Sequence, residues 1–338
     1  MLSIIPISDK DKWDRSVRSF REHDVYYFSG YAKAFQAHGD GEPVLFYYEG
    51  DGYRAINTVM KRDLSLNRHF AGKLDPKQYY DLITPYGYGG FLVEGDSDNG
   101  SMKALNAEYT AYCIENNIVS ELVRFHPILK NREKMDGMYD IEERGKTVFI
   151  ELDSPEFIWD HFTGKNRNMI RKAQKSGVEI FWGRNPELIT NFADRYKATM
   201  DKNHADDYYY FKKQFYDSNL YDLKDNCMVF YAVYQGKIIA MSMILHGNRQ
   251  MHYHLSASDE LYKHLAPTNL LLYEAACWGS ANNCKTFHLG GGLHSREDKL
   301  FHFKKAFHTG PDAAYSIGKK CFQPEVYDKL VSIRAAEK

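Results

Sequence analysis

Met228-Val229-Phe230-Tyr231-Ala232-Val233-Tyr234 runs into Gln235-Gly236-Lys237 and emerges as Ile238-Ile239-Ala240-Met241-Ser242-Met243-Ile244-Leu245. Aromatic and β-branched runs on either side of a glycine turn predict a β-hairpin. The same arrangement occurs earlier: Val44-Leu45-Phe46-Tyr47-Tyr48-Glu49, then Gly50-Asp51-Gly52, then Tyr53-Arg54-Ala55-Ile56-Asn57-Thr58-Val59-Met60. Downstream, Tyr109-Thr110-Ala111-Tyr112-Cys113 leads through Asn116-Asn117 to a strand ending Val123-Arg124-Phe125-His126. Its counterpart, Tyr273-Glu274-Ala275-Ala276-Cys277, leads through Asn282-Asn283 to Thr286-Phe287-His288-Leu289. Hairpin, helix and strand thus recur in one order, allowing a two-residue gap. The expectation is two α/β domains of similar topology, over 1–146 and 147–315, joined near the charged Glu143-Arg144-Gly145-Lys146. After the join, Thr147 to Leu152 reads as a strand. Ser154-Pro155 then opens a helix, and a second helix covers Lys165 to Lys175 and stops at Gly177.

A chain of 338 residues is long enough for two such domains. Its 44 basic and 45 acidic residues give a formal charge of −1, so a broad grip on a long duplex is excluded and any nucleic-acid contact must be local. The longest apolar run, Ile238 to Leu245, is far too short to span a bilayer. The first residues reach Asp9 and Asp11 too soon for a signal peptide. Five cysteines form no CxxC pair and no even framework, which fits reduced thiols in a cytoplasmic protein.

Several segments carry candidate chemistry, each with a plain structural counterpart. Gly290-Gly291-Gly292 directly follows an apolar strand, where glycines permit either a ligand's close approach or an ordinary turn. No Gly-Lys-Ser/Thr follows, so it is not a Walker A loop. In Phe301-His302-Phe303-Lys304-Lys305-Ala306-Phe307 the aromatics can anchor an element that aims Lys304 at a carbonyl oxygen gaining negative charge. A surface lysine beside core phenylalanines would look the same. Arg167, Arg171 and Lys175 share an i, i+4 spacing that can hold phosphates or form a solvated helix face. Tyr86 and Tyr88 lie on a glycine-rich path, Thr84 to Phe91, suited to a cleft wall or a turn. His204, Asp207 and Tyr209 fall in an aromatic, acidic loop after a helix. His252 and His254 share one strand face, but neither HExxH nor a Cys/His zinc spacing is present, so no metal site is expected.

Taken together, these residues resemble the FemA/FemB/FemX superfamily of aminoacyl-tRNA-dependent peptidyltransferases, which carry tandem GNAT-like domains with mixed central sheets. The resemblance runs over roughly 30–310. It rests on Pro85-Tyr86-Gly87-Tyr88-Gly89-Gly90, Ile170-Arg171-Lys172-Ala173, Leu265-Ala266-Pro267 before Leu270-Leu271-Leu272, and Leu289-Gly290-Gly291-Gly292 followed by Phe303-Lys304-Lys305-Ala306-Phe307. It implies a cytoplasmic enzyme that moves an amino acid from tRNA to an amine of a peptidoglycan precursor, needing no cofactor. It also implies that the tail, 316–338, returns to the first domain, and that the superfamily's lysine is Lys304. Cell-wall members carry a Pro-Arg-Gly-Pro segment ending in an acid where this chain has Pro85-Tyr86-Gly87-Tyr88, and Glu94 is the nearest acid. No heptad insertion marks a helical arm for tRNA.

Three functions remain in competition. In the first, an amine attacks the ester of aminoacyl-tRNA, Lys304 and backbone N–H groups stabilise the oxyanion, and Glu94 or Asp207 takes the proton. The second uses a CoA thioester as donor and an amino sugar or small amine as acceptor. CoA-binding GNAT domains cradle pyrophosphate on a glycine loop at a helix start, whereas here Tyr262 to Asn269 lacks glycine and Pro267 removes an N–H. The third is a non-catalytic muropeptide- or tRNA-binding protein.

Overall fold

The computed structural model describes residues 1–50, 52–95 and 99–335. Asp51 of the first predicted turn and the last three residues of the 316–338 tail lie outside them. The chain divides into two compact units, Met1–Arg144 with Tyr315–Lys338, and Gly145–Ala314.

In the first unit, β1 (Leu2–Pro6), α1 (Lys10–Ser19) and α2 (Ser29–His38) precede the hairpin β2 (Glu42–Gly50) and β3 (Tyr53–Asp63). β4 (Tyr80–Ile83), β5 (Leu92–Gly95), α3 (Asn99–Glu115) and β6 (Ile118–Arg124) follow. β7 (Asp140–Glu151) crosses from the first unit to the second. The second unit continues with α4 (Pro155–Asp160), α5 (Gly164–Lys175), β8 (Glu179–Gly183), α6 (Pro186–Lys202) and α7 (Lys213–Tyr221). The hairpin β9 (Cys227–Tyr234) and β10 (Lys237–Gly247) leads to β11 (Gln250–Ser258), α8 (Pro267–Ala281), β12 (Thr286–Gly290) and α9 (Lys299–Lys305). β13 (Ala313–Cys321) and α10 (Pro324–Ala335) close the chain.

The two predicted hairpins form where strands are covered on both faces: Ala55 to Met60 of β3 and Ile239 to Leu245 of β10 are buried throughout. Each is followed by a strand, a helix and a parallel partner strand: β4, α3, β6 in the first unit and β11, α8, β12 in the second. The first sheet runs β1-β2-β3-β4-β6-β13, with β5 also on β3; the second runs β7-β12-β11-β10-β9-β8. β13 brings the tail onto β6 through the register Ile317↔Arg124 to Cys321↔Ser120.

Glu143 to Lys146, read as a linker, is the interior of β7. Its charges mark the solvated side of a strand: Arg144 and Lys319 both bond Glu142. The predicted helix starts hold. Ser154 Oγ accepts from Phe157 N at 3.1 Å with Pro155 in the first turn, and Thr163 caps α5 through Asn166 N. The second unit's core combines Val148, Ile150 and Phe287 of the sheet with Ile170 of α5, Leu271 of α8 and Phe301 and Phe307 around α9. All three helices therefore cover one face of this sheet.

Candidate active site

Parallel strands β11 and β12 pair at Gln250↔Thr286, Met251↔Phe287 and His252↔His288, and pair no further. β11 continues against β10, while β12 swings to β7, where Gly290 meets Val148. In β11 the register skips His254, because Ile244 faces Tyr253 while Met243 faces Leu255. Such a bulge re-aims backbone groups beside the opening. The sheet of the second unit is thus split beyond His252 and His288.

Lys304 stands at the mouth of this split. Its Nζ donates to Gly291 O at 2.6 Å, just past β12, and lies 6.0 Å from the ring centre of Tyr253, the first β11 residue beyond the pairing. Lys304 is only 8% exposed. Burial pushes its ammonium down from 10.5 to about 8, with Asp298 pulling the other way. Among the described residues, the Gly291 carbonyl is the one hydrogen-bond acceptor the ammonium reaches, which leaves N–H groups to offer a ligand. α9 holds the lysine rigidly. Asp298 caps the helix by accepting from Phe301 N at 2.9 Å and ties back the preceding loop through Leu293 N at 3.1 Å.

The three glycines have separate duties. Gly290 turns the chain at φ +78°, a Cβ on Gly291 would come within 2.9 Å of Lys146 O, and a Cβ on Gly292 would overlap Arg296 O and the Asp298 carboxylate. Phe303 packs on Phe307 at 5.4 Å and anchors α9.

The two faces of the split differ. Ala240 and Ile244 belong to the helix-covered core, so Ser242 between them faces that side, together with Tyr253. Ser242 Oγ and Ser256 Oγ are 3.1 Å apart, and both hydroxyls steady the Tyr253 phenol against the upward pull of its burial. Met251, Phe287 and Leu289 also point into that core, which puts His252 and His288 on the opposite face, with ring centres 5.8 Å apart. Burial, then the neighbouring His252, drives His254 down to about 3, so it is neutral at physiological pH. Sequence reading weighed His252 and His254 only as metal ligands and passed over His288 and Tyr253. The signal lay in both Phe-His strand ends and the His252-Tyr253-His254 run.

Among the described residues, the first unit has no matching split. Thr84 N continues the β4–β6 pairing onto Leu122 O, Thr84 Oγ1 accepts from Arg124 N at 2.9 Å, and Gly89 N donates to Arg124 O at 2.8 Å. The glycine-tyrosine segment therefore fills the place that stands open in the second unit. Tyr86 stacks on Phe35 at 5.8 Å. Tyr88 packs against Tyr26, His126 and Tyr315, each at 5.8 Å, and burial raises its phenol far above the ordinary range.

Other expected site residues have structural employment. The Glu94 carboxylate pairs with Arg54 at 2.8 Å and accepts from the Arg21 and Glu22 N–H groups, so it is an occupied clamp on β5. Arg167 donates to Trp159 O and Asp160 O at 3.3 and 3.2 Å, satisfying carbonyls at the end of α4. Arg171 lies 5.0 Å over the Trp159 ring, whereas Lys175 is exposed. His204 follows the Asn203 cap of α6 at φ +48°, and Asp207 is exposed in the next turn. Tyr209 lines a separate cavity of about 520 Å³ between α6 and α7, with Tyr196, Phe211 and Tyr216. None of these three bonds Lys304.

Residues 162–305 match the family model of the acetyltransferase (GNAT) domain. That stretch runs from the end of α4 through Lys304 itself and includes both split strands. The whole chain also superposes on the crystal structure of FemX, with a TM-score of 0.70 and 13% identity over 97% of this chain and 99% of FemX. The second unit thus carries the GNAT domain pattern, and the chain shares the fold of FemX. A conserved protein of unknown function from Bacteroides thetaiotaomicron shares the fold at TM-score 0.60, with 12% identity over 95% of this chain and all of that one. No curated protein sequence matches the chain. Among the described residues, no helix is long and apolar enough to cross a membrane.

Proposed function

We propose that the chain is an N-acyltransferase that moves an aminoacyl group from aminoacyl-tRNA to an amine of a peptidoglycan precursor or related peptide, with the split sheet of the second unit as its reaction centre. The observation that carries this reading is Lys304, buried, cationic and reaching from Gly291 to Tyr253 across the opening. The donor's carbonyl carbon would lie between the strands. The acceptor nitrogen attacks it, the carbonyl oxygen takes the charge, and Lys304 stabilises that oxyanion. Collapse breaks the ester C–O bond, and the ribose hydroxyl leaves with a proton. His252 and His288, on the face opposite Lys304, are the imidazoles this geometry offers to take the proton from the attacking amine.

The start of α8 favours a nucleotide ester over a CoA thioester. Its cap residue Ala266 adopts φ +55° without a side-chain cap, and Pro267 supplies no N–H for a pyrophosphate. The test supplies labelled aminoacyl-tRNAs and labelled acyl-CoAs in separate reactions with muropeptide precursors and small amines. Transfer from tRNA is expected. Transfer from acyl-CoA alone would reassign the donor, and tight binding of either substrate without turnover would make the protein a binding module.

A further inference from the structure

We infer that β8 is a homodimerisation edge, at which Glu179–Gly183 pairs antiparallel with the same strand of a second copy. β8 ends the second unit's sheet and pairs only with β9, so its outer row of backbone N–H and C=O groups has no strand partner among the described residues. Natural edges are usually blunted by lysine, proline or a bulge. Glu179-Ile180-Phe181-Trp182-Gly183 has none of these, and its register with β9 runs from Glu179↔Val233 to Gly183↔Val229 without a shift.

Both faces of this edge are aromatic. Phe181 is 43% exposed and stacks on Tyr231 at 5.7 Å, while Trp182 is 53% exposed and stacks on Phe230 at 5.9 Å. Phe230 in turn meets Trp278 at 5.9 Å, so an aromatic row leads outward through the sheet and stops in solvent. A second copy fits better than an unrelated strand because the segment is complementary to itself. Opposed residues in an antiparallel pair share a face, so a dyad through Phe181 sets Phe181 against Phe181 and Ile180 against Trp182. Glu179 then faces Gly183, and no like charges oppose. This is the self-matching patch a two-fold interface requires. β9 and β10 separate β8 from β11, so the pairing leaves the split open.

Five residues per strand make a small interface, which predicts a weak, concentration-dependent dimer and not a permanent one. Sedimentation velocity from about 2 to 200 µM should show monomer passing to dimer. Phe181→Lys and Phe181→Glu should each be monomeric throughout, with unchanged circular dichroism melts. An equimolar mixture of the two should form a heterodimer, since opposite charges then meet at the dyad. A wild-type chain monomeric across that range, a dimer that survives Phe181→Lys, or two variants that fail to associate when mixed would each overturn the inference.

Discussion

Lys304→Met removes a charge from the split while keeping a side chain of similar length, and its effects on stability and catalysis should have opposite signs. The ammonium lies near 8 in the fold against 10.5 in the unfolded chain. That difference corresponds to about 3 kcal/mol against holding the charged form buried. Between those two values the unfolded chain binds the extra proton, so wild-type stability rises with pH across the window and carries the full burden below it. Loss of the bond to Gly291 O offsets about 1 kcal/mol. Lys304→Met should therefore be about 2 kcal/mol more stable than wild type at pH 7, or roughly 4–8 °C in Tm for a unit of this size. At pH 9.5 the wild type recovers about 2 kcal/mol and the gap should nearly close. Urea unfolding of both proteins at the two pH values measures this directly. A variant less stable than wild type at pH 7, or a gap that ignores pH, would refute the reasoning.

Other substitutions separate structural residues from those at the reaction centre. Gly292→Ala should abolish turnover by forcing the loop away from Arg296 and Asp298, and wild-type kcat would show that this loop tolerates a shift. Glu94→Gln should destabilise the protein by about 1–2 kcal/mol through the Arg54 clamp and leave kcat unchanged; a large fall in kcat would return Glu94 to the chemistry. Glu121→Leu, which strands the Tyr109, Tyr139 and Asn57 donors in the first unit's core, should cost about 3 kcal/mol or more in chemical denaturation.

The hairpins, the helix caps and the link between the glycine loop and Lys304 were legible because each depends on neighbours close in sequence or on a simple period. Asn and Gly punctuate both hairpin units, and the aromatics at 301, 303 and 307 mark where α9 anchors. The order of elements pointed to a fold with two splayed central strands, but where they part was not legible. That depends on β11 and β12 ceasing to pair after three residues and on a skip at His254, and composition does not encode register. The surroundings of the basic stripe were hidden for a related reason. An i, i+4 spacing shows that Arg167 and Arg171 share a face, but not that this face meets the carbonyl end of α4 and Trp159. The glycine-tyrosine segment is irregular, as expected, but in the first unit that irregularity closes a strand gap. Glu94 could not be distinguished from a free base until Arg54 was seen beside it on the neighbouring strand.

The most direct test of Lys304 as the charge that steadies the transferring carbonyl is aminoacyl transfer by Lys304→Met beside wild type, measured across pH. Wild-type kcat should fall as the pH passes about 8, where the ammonium loses its proton. In the variant kcat should be lower by about 10²–10³-fold with KM little changed, and that decline should vanish. Wild-type turnover in the folded variant, or an unaltered pH profile, would contradict the account.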